Sequence, residues 1–544
     1  MCDESVTAAQ RYATVAERVQ SRHPGAAARL SGLPTVHEVL ASVATFAMEG
    51  IESREVTVEV DLRRGLPVFT LVGLPDMAVR EARERVRAAL LNSGLEFPLM
   101  RVTANLAPGH VRKAGPGFDL ALALALLGAS GQIARDRLRE AAVCAELSLS
   151  GALRPVRGAL AMAFGARRSG YRHLIVAVEN AAEAALVEGL EVSAAPSLTR
   201  IVDLMAGRWS PGPPPARPPA SEHVEPIPDL ADVRGQNDAK RALEIAAAGG
   251  HNLLMVGPPG VGKTMLARRL PAILPPLTRE EAIEVTQVRS AGGLGDGSLA
   301  AQRPFRAPHH TISPSGLVGG GAIPRPGEIT LAHRGVLFLD ELPEFSRAAL
   351  EALRQPLETR SVRVTRGQVS VTFPAAAQLV GACNACPCAR PARDCTCDEA
   401  DRARYARRLS APLLDRIDLV CQLELPQATT LLDQRLGETC ESPLVHDRVR
   451  GARERQQARL AGSGAHCNAA MGSVLTRRHV RLSAPARDLL RAGMERASLS
   501  ARGHDRALRI ARTIADLSGG GNVSNANLEE ALAYRLTGVG AGAT

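Results

Sequence analysis

The sequence predicts a multidomain α/β fold, and three features of the chain indicate it. Residues 55–62 read EVTVEVDL, in which apolar residues alternate with acidic or polar ones, as in a strand with one buried face. Residues 253–256 form a short apolar run that enters a glycine-rich turn, as a buried strand does. The proline-dense stretch 208–228 cannot sustain helix or sheet, so it separates two α/β blocks.

These features divide the chain into segments of different character. In the first block, a helix is predicted from the N-cap Asp76 to a glycine stop at Gly94. The C-terminal tail is predicted to be mainly helical, with SGGGN between its last two helices. The predicted segments are an N-terminal extension (1–38), a first α/β domain (39–207), a proline-rich linker (208–228), a second α/β domain (229–426) and a helical domain (427–544).

The overall composition predicts a cytoplasmic protein with an anionic partner. The net charge of +10 suits nucleic acid, although a GC-rich genome that encodes Arg in place of Lys explains it equally well. An aromatic content of 3% argues against a single-strand binder that relies on stacked rings. The opening residues lack the pattern of a signal peptide, so none is expected, and the longest uncharged apolar stretch, 120–134, is short of the roughly 20 residues that span a membrane.

The strongest local signal is the sequence GPPGVGKT after the run at 253–256. A strand, this turn and a following helix form the full strand–GxxxxGK[ST]–helix context of a phosphate-binding loop. Its amides and the helix N-terminus attract phosphate, Lys263 is predicted to reach the β- and γ-phosphates of ATP, and Thr264 is predicted to ligate Mg²⁺. The predicted nucleotide-binding residues of this loop are Gly257, Pro258, Pro259, Gly260, Val261, Gly262, Lys263 and Thr264.

Two acidic residues end the apolar run in GVLFLDELPEF. Ligands of α/β sheets bind beyond the carboxyl ends of the strands, which is where Asp340 and Glu341 are expected. Asp340 is predicted to hold Mg²⁺ through water, and Glu341 to polarise the attacking water as a general base. The alternative is that the two acids only cap the next helix.

These motifs and several others resemble the YifB/ComM family of Mg chelatase-like AAA+ ATPases. The resemblance extends from about residue 39 to the C-terminus and includes VTVEVDLRRGLPVFTLVGLPD, RPFRAPHHTIS, LLDRIDL and ARTIADLSG. It implies a central P-loop AAA+ domain, a C-terminal helical lid and a front domain similar to the Lon protease module, of the ribosomal S5 domain 2-like type. It also implies that Asn384, at the end of AAAQLVGACN, is sensor 1, and that Gly235 and Gln236 frame the adenine.

The resemblance also assigns two arginines to the γ-phosphate. Arg416 matches an arginine finger that reaches the nucleotide of a neighbouring subunit in a ring. A surface arginine paired with Asp415 or Asp418 is the alternative. Arg502 matches sensor 2 in the lid. Two residues on nearby helical faces are alternatives for sensor 2: Arg506 and Arg509.

The front domain resembles the Lon module without its catalytic dyad. Gly117 stands in the place of the serine and Leu160 in the place of the lysine. A domain without a nucleophile and a base cannot hydrolyse peptides by the Lon mechanism, so the front domain is predicted to be a non-proteolytic ring or substrate-binding module. Lys113 and Arg112 are expected either to contact nucleic acid or to lie in a solvated loop.

Two further segments resemble DNA-contacting elements of ring motors. RSVRVTRGQVSVTFP is predicted to form a hairpin, whose Arg360, Arg363 and Arg366 either contact DNA in a pore or are simply solvated. SAGGLGDG and RPFRAPHHTISPSGLVGGG resemble a helix-2 insert. His309 and His310 are predicted to face opposite ways in an extended segment, which disfavours joint metal ligation.

Five of the ten cysteines lie within residues 383–397. Cys383 is predicted to be a small buried strand residue. The spacing CxC, six residues, CxC predicts a structural Zn²⁺ site, because thiols stay reduced in the cytoplasm. Free thiols and a redox or iron–sulfur role are the alternatives. The predicted zinc ligands are Cys386, Cys388, Cys395 and Cys397.

The leading functional hypothesis is a hexameric ATPase that moves along branched or single-stranded DNA. ComM-like branch migration during natural transformation is the substrate hypothesis, and no membrane partner is expected. Two alternatives stay open: a chelatase-type subunit that drives Mg²⁺ insertion into a porphyrin through partner proteins, and a non-motor regulator whose ATP state controls partner binding.

Overall fold

The computed structural model describes residues 40–111, 113, 115–212, 227–321, 324–366, 369–390, 395–427, 440–497 and 501–536. The predicted extension 1–38, most of the predicted linker 208–228 and Arg112 lie outside these residues. The described chain divides into two compact units. The described residues of unit 1 fall within Met1–Thr45, Val56–Leu153 and Ser197–Ser210, and those of unit 2 within Phe46–Glu55, Arg154–Pro196 and Pro211–Thr544.

The strands of the described residues are numbered in chain order. They are β1 (Leu40–Glu49), β2 (Glu52–Arg63), β3 (Val68–Val72), β4 (Arg101–Ala107), β5 (Ala141–Cys144), β6 (Glu146–Leu147), β7 (Leu153–Arg154), β8 (His173–Ala177), β9 (Glu191–Ala195), β10 (Leu253–Val256), β11 (Phe305–Arg306), β12 (Gly319–Gly320), β13 (Arg325–Pro326), β14 (Val336–Leu339), β15 (Ser361–Arg366), β16 (Val369–Pro374), β17 (Gln378–Cys383) and β18 (Leu419–Gln422).

The α-helices of the described residues are numbered in the same way. They are α1 (Met77–Arg80), α2 (Ala82–Asn92), α3 (Asp119–Ala129), α4 (Arg135–Arg139), α5 (Ala159–Arg168), α6 (Val178–Ala184), α7 (Leu198–Met205), α8 (Asn237–Gly249), α9 (Lys263–Ile273), α10 (Arg279–Gly292), α11 (Pro314–Val318), α12 (Glu328–Leu331), α13 (Arg347–Ala352), α14 (Arg354–Thr359), α15 (Glu399–Ala406), α16 (Ala411–Leu414), α17 (Ser442–Leu460), α18 (Ser473–His479), α19 (Ala484–Ala497), α20 (Ala501–Leu517) and α21 (Asn525–Leu536).

The alternating strand predicted in the front part of the chain is confirmed as β2. Its residues Val56, Val58, Val60 and Leu62 are all buried, while their neighbours are partly exposed. Neighbouring strands of unit 1 follow the order β3-β4-β2-β1-β5, with β2 antiparallel to β4 and β3 parallel to β4. Among the described residues, none of the helices combines the length and apolar character that a membrane span requires.

The helix predicted from Asp76 to Gly94 is correct at its ends and wrong in its continuity. The Asp76 carboxylate accepts a hydrogen bond from the amide of Val79 at 2.8 Å, and Gly94 follows the last turn with φ of +72°. Between them a turn at Glu81 separates α1 from α2. The amide of Glu81 donates to the carbonyl oxygens of Met77 and Val79, and since the Met77 contact is an ordinary i→i−4 bond, the interruption is confined to this one residue.

Both hypotheses for Lys113 are wrong, because its side chain is fully buried. The ammonium group donates a hydrogen bond to the carbonyl oxygen of Pro108, and burial lowers its pKa. A lysine in this position can neither contact nucleic acid nor lie in a solvated loop. Leu160, which stands in the place of the Lon lysine, is also fully buried.

The core of unit 2 is a five-stranded parallel sheet of order β11-β14-β17-β10-β18. Successive residues of β10 join different apolar clusters: Leu253 and Met255 join one, and Leu254 and Val256 the other. Both faces of the sheet are therefore covered, which explains why β10 is a continuous apolar run. Because the strands are parallel, their carboxyl ends meet at one edge.

The C-terminal part of unit 2 is helical, as predicted, and α17 to α21 are called the lid below. Residues 518–524 separate α20 from α21, at the predicted break. Ile510 and Ile514 of α20 belong to the same apolar cluster as Ala242 and Ile245 of α8, so the lid packs on the sheet domain. The predicted hairpin is also confirmed, since β15 and β16 pair in antiparallel register.

Candidate active site

The loop between β10 and α9 lies at the carboxyl edge of the parallel sheet. A side chain cannot replace Gly257, because a Cβ atom there would lie 2.6 Å from the carbonyl oxygen of Leu423. Gly260 and Gly262 have φ angles of +79° and +95°, which only glycine adopts readily. Helix α9 begins at Lys263, so the free amides of its first turn adjoin the loop. This loop has the form of an anion site.

Lys263 is folded over this loop and lies beside Asn384. Its ammonium group donates to the carbonyl oxygens of Gly257 at 2.6 Å and Pro258 at 2.9 Å, and to Oδ1 of Asn384 at 3.1 Å. The parallel pairing of β17 with β10 brings Asn384 to this position. Burial lowers the pKa of Lys263. Its neutral acceptors are weaker partners than a phosphate, so a bound triphosphate can draw the ammonium away from them.

Thr264 and Asp340 are adjacent, as a shared metal ligand pair must be. The Thr264 hydroxyl donates to Oδ2 of Asp340 at 2.6 Å. Asp340 follows β14 directly, so strand pairing places it at the edge that carries the loop. A hydroxyl and a carboxylate are hard oxygen donors of the kind that Mg²⁺ prefers, so these residues fit that ion.

Glu341 has a partner that the sequence reasoning missed. Its backbone has φ of +50°, its amide donates to Oδ1 of Asp340 at 2.9 Å, and its side chain is 58% exposed. Nδ1 of His310 lies 3.2 Å from Oε2 of Glu341. The segment before His310 is a two-residue strand, β11, that pairs in parallel with β14 and is too short to give a periodic signal in the sequence. Residues after β11 and β14 therefore reach the same edge.

The prediction that His309 and His310 face opposite ways is wrong. Their ring centroids lie 4.1 Å apart, and the planes are tilted by 33°. The segment is not extended here, because the amide of Ile312 bonds back to the carbonyl oxygen of His309 at 3.0 Å. His309 is engaged with the Thr311 hydroxyl at 2.9 Å, which leaves His310 beside Glu341.

Gly235 and Gln236 lie against the same loop. Both have left-handed backbone angles, with φ of +68° and +56°. The side-chain amide of Gln236 donates to the carbonyl oxygens of Glu424 at 2.7 Å and Val261 at 3.2 Å. Gln236 therefore ties the segment before α8 to the phosphate-binding loop, where the resemblance implies an adenine.

Arg416 and Arg502 meet at a place separate from that loop. Arg416 forms an ion pair with Glu358, and a guanidinium nitrogen of Arg502 lies 3.6 Å from Oε1 of the same carboxylate. The Arg416 side chain is only 13% exposed, unlike that of a surface arginine. Together with Arg360 they line a cavity of about 530 Å³. None of the described residues that line it belongs to the phosphate-binding loop or to the acidic pair.

The alternatives for sensor 2 are engaged in the fold. Arg506 is buried and forms an ion pair with Asp418 at 3.5 Å. Arg509 donates to the carbonyl oxygens of Ala469 and Met471 at 2.9 and 3.1 Å. The side chain of Arg502 is 60% exposed, so it is the most available of the three for an external anion.

The four clustered cysteines converge after β17. The Sγ atom of Cys386 lies 3.2 Å from that of Cys388 and 3.5 Å from that of Cys395, and the Sγ atoms of Cys388 and Cys395 lie 3.7 Å apart. All four Sγ atoms, that of Cys397 included, lie within 4.8 Å of one another. Tetrahedral thiolates about 2.3 Å from a zinc ion are about 3.8 Å apart, so the cluster fits Zn²⁺. Cys383 is buried, as predicted, and burial raises the pKa of its thiol to about 12.

Known protein families match most of the chain. The family model described as "Magnesium chelatase, subunit ChlI" matches residues 229–431, "Subunit ChlI of Mg-chelatase" matches 58–180, and "Magnesium chelatase, subunit ChlI C-terminal" matches 439–535.

Three curated relatives are similar over nearly their whole length. The chain is 43% identical to the uncharacterized protein YifB of Escherichia coli over 501 residues, which cover 91% of this chain and 97% of YifB. It is 43% identical to the competence protein ComM of Haemophilus influenzae over 511 residues, with the same two shares. It is 44% identical to an uncharacterized protein of Mycobacterium tuberculosis over 497 residues, which cover 90% of this chain and 98% of that protein.

The family matches, together with the parallel sheet and its phosphate-binding loop, place the chain in the broad class of the AAA+ ATPases. Within this class the chain belongs to the YifB/ComM family of Mg chelatase-like ATPases, as its motifs predicted.

Proposed function

We propose that the protein is a ring-forming ATPase that moves along DNA and drives branch migration of DNA joints during natural transformation. One relative of this chain is named a competence protein. The net charge of +10 and the exposed Arg363 on the β15–β16 hairpin agree with a polyanionic substrate. The side chain of Arg366 on the same hairpin lies outside the described part of the chain.

In this proposal each group at the sheet edge has a defined task. Lys263 and the loop amides bind the β- and γ-phosphates, and Asn384 orients the lytic water. Glu341 accepts a proton from that water. Thr264 and Asp340 would hold Mg²⁺, which neutralises phosphate charge when it is bound.

The proposal of a ring is supported by one observation: Arg416 lies apart from the phosphate-binding loop of its own chain. An arginine that stabilises transition-state charge must reach the γ-phosphate. Arg416 instead lines a cavity to which that loop contributes no described residue. A second copy of the chain can bring its nucleotide to this cavity, where Arg416 and Arg502 supply positive charge. We assign this arrangement to a homo-hexamer.

The deciding experiment is the ATPase rate of the purified chain with and without four-way and single-stranded DNA. We expect DNA to stimulate hydrolysis severalfold, and Lys263→Ala to abolish both the basal and the stimulated rate. Arg268→Ala is the matched control, because Arg268 is an exposed residue of the same helix. A basal rate that is indifferent to DNA contradicts the DNA motor, and hydrolysis without strand displacement favours a non-motor regulator.

A chelatase-type subunit is the second candidate, favoured by the three family models that describe magnesium chelatase. Such a subunit would hydrolyse ATP to drive Mg²⁺ into a porphyrin through partner proteins. ATPase activity that ignores DNA and supports porphyrin metallation by added chelatase partners would favour it.

We infer further that the four clustered cysteines hold a structural Zn²⁺. Their mutual distances suit one tetrahedral ion and are much longer than the roughly 2 Å of a disulfide bond. Cys386 lies two positions after Asn384, so an ordered metal site would stabilise the end of β17 where that amide projects.

A further inference from the structure

A groove in the lid is lined mainly by positive charge. It lies between α18, the start of α19 and α20, and has a volume of about 750 Å³. Its lining residues are Arg477, Val480, Arg481, Leu482, Arg487, Leu490, Arg491 and His504. None of the groups assigned above to ATP, Mg²⁺ or Zn²⁺ belongs to it.

The four arginines of the groove are exposed, and their charges are poorly compensated. Arg491 pairs with Asp488, but these side chains are 71% and 67% exposed, and such surface pairs contribute little. Arg477 donates to a backbone carbonyl of its own helix at 3.3 Å. Within the described residues, neither Arg481 nor Arg487 has a carboxylate partner. The groove therefore retains a positive potential that attracts an anion.

The chemistry of the groove fits a chain of phosphates better than a single buried anion. Its guanidinium groups come from positions spread over Arg477 to Arg491 and remain exposed, whereas a site for one small anion encloses its ligand. Val480, Leu482 and Leu490 supply its apolar part, and none of the described residues that line it is a Phe, Tyr or Trp on which bases could stack.

We infer that this groove binds the phosphodiester backbone of DNA without reading the bases. The inference rests on the proposed function, in which the protein moves along DNA, and it adds the lid to the surfaces that hold the substrate. Binding of this kind releases counterions and weakens steeply as salt is added.

The test compares two double variants of the full-length chain that lose the same charge. Arg481→Ser with Arg487→Ser removes the groove arginines that lack carboxylate partners. Arg137→Ser with Arg139→Ser, on the exposed face of α4 in unit 1, is the matched control. Binding of fluorescent single-stranded and duplex DNA is measured between 50 and 200 mM salt, and ATP retention and thermal unfolding are measured beside it.

We expect the groove variant to bind DNA at least tenfold more weakly at low salt. The plot of log binding constant against log salt concentration should be less steep by about 1.4 to 1.8, because two phosphate contacts are lost and each contributes about 0.7 to 0.9 to the slope. The control variant should bind as the wild type does. ATP retention and unfolding temperature should be unchanged in both variants.

Every other outcome counts against a stated claim. If both variants lose the same DNA affinity, the effect is one of general charge, and the proposal that the groove binds DNA is wrong. An unchanged groove variant, with a wild type that binds DNA, overturns the groove and leaves the proposed function intact. A wild type that binds no DNA overturns the proposed function. The same titration with RNA then shows whether the groove serves another phosphodiester, and failure with both nucleic acids overturns it as well.

Discussion

The contact between His310 and Glu341 concerns the group that must accept a proton. Glu341 is largely exposed, and its left-handed backbone holds it away from the ordinary helical path. A general base is effective only when its carboxylate stays within hydrogen-bond reach of the water. His310, at 3.2 Å, limits the positions that this carboxylate can take. Packing against His309, and against the edge of Phe345 at 6.5 Å, in turn holds the His310 ring.

We therefore expect His310→Ala to lower kcat for ATP hydrolysis about 10- to 100-fold with little change in KM, because His310 touches the base and not the phosphate loop. Glu341→Gln should bind ATP and fail to hydrolyse it. Steady-state ATPase kinetics and nucleotide retention measure both effects. His309→Ala is the control, since His309 bonds to Thr311 instead. Equal kinetic losses in the two histidine variants would show that only the local fold is disturbed.

At the scale of elements, the cysteine segment after β17 needs interactions between its side chains to hold it in one conformation. Cys388, Cys395 and Cys397 are only partly buried, so hydrophobic burial contributes little to holding them together. Metal binding can supply the missing free energy, because a site absent from the unfolded chain stabilises the folded one. Arg402, in the middle of α15, also contacts Cys395 at 3.4 Å, which links the cluster to the following helix.

Purified protein should accordingly contain one zinc ion per chain by elemental analysis. Cys395→Ser should lose that zinc, unfold at a lower temperature and hydrolyse ATP more slowly, since Asn384 lies beside the cluster. Cys440→Ser is the matched control, because Cys440 is an exposed cysteine outside it. The metal site would be contradicted if wild-type protein, purified in the presence of zinc, contained no zinc and had four reactive thiols in this segment.

The parallel sheet shows which strands can be predicted from sequence patterns and which cannot. Four-residue apolar runs predicted β10 and β14, and their flanking motifs predicted which edge carries the chemistry. The same patterns did not reveal β11, which contains only Phe305 and Arg306. A two-residue strand has too few residues for a periodic signal, so His310, which follows it, was not placed at the active edge.

For the whole molecule, the separation of Arg416 from the phosphate-binding loop makes activity depend on neighbouring copies. We expect Lys263→Ala and Arg416→Ala to be inactive when each is assembled alone. A mixture of the two should recover part of the activity, because an intact loop of one subunit then meets an intact arginine of another. ATPase rates of mixed subunits measure this recovery.

The control mixes Lys263→Ala with the Lys263→Ala/Arg416→Ala double variant, in which every loop is defective, so activity should not recover. If the first mixture also stays inactive although both variants assemble, Arg416 does not act between subunits. Activity of Arg416→Ala alone near the wild-type rate would exclude its catalytic role.

The sequence by itself determined the family, the phosphate-binding loop, the acidic pair and the cysteine spacing. These are local signals, since residues a few positions apart must be close in space whatever the rest of the chain does. Only the tertiary structure decided which residues from distant positions meet. It buried Lys113, brought His310 to Glu341 and joined Arg416 and Arg502 on Glu358. It also paired Arg506 with Asp418 and tied Arg509 to backbone carbonyls in the wall of the same cavity. Such contacts depend on strand order and helix packing, which one sequence encodes only through all of its interactions together.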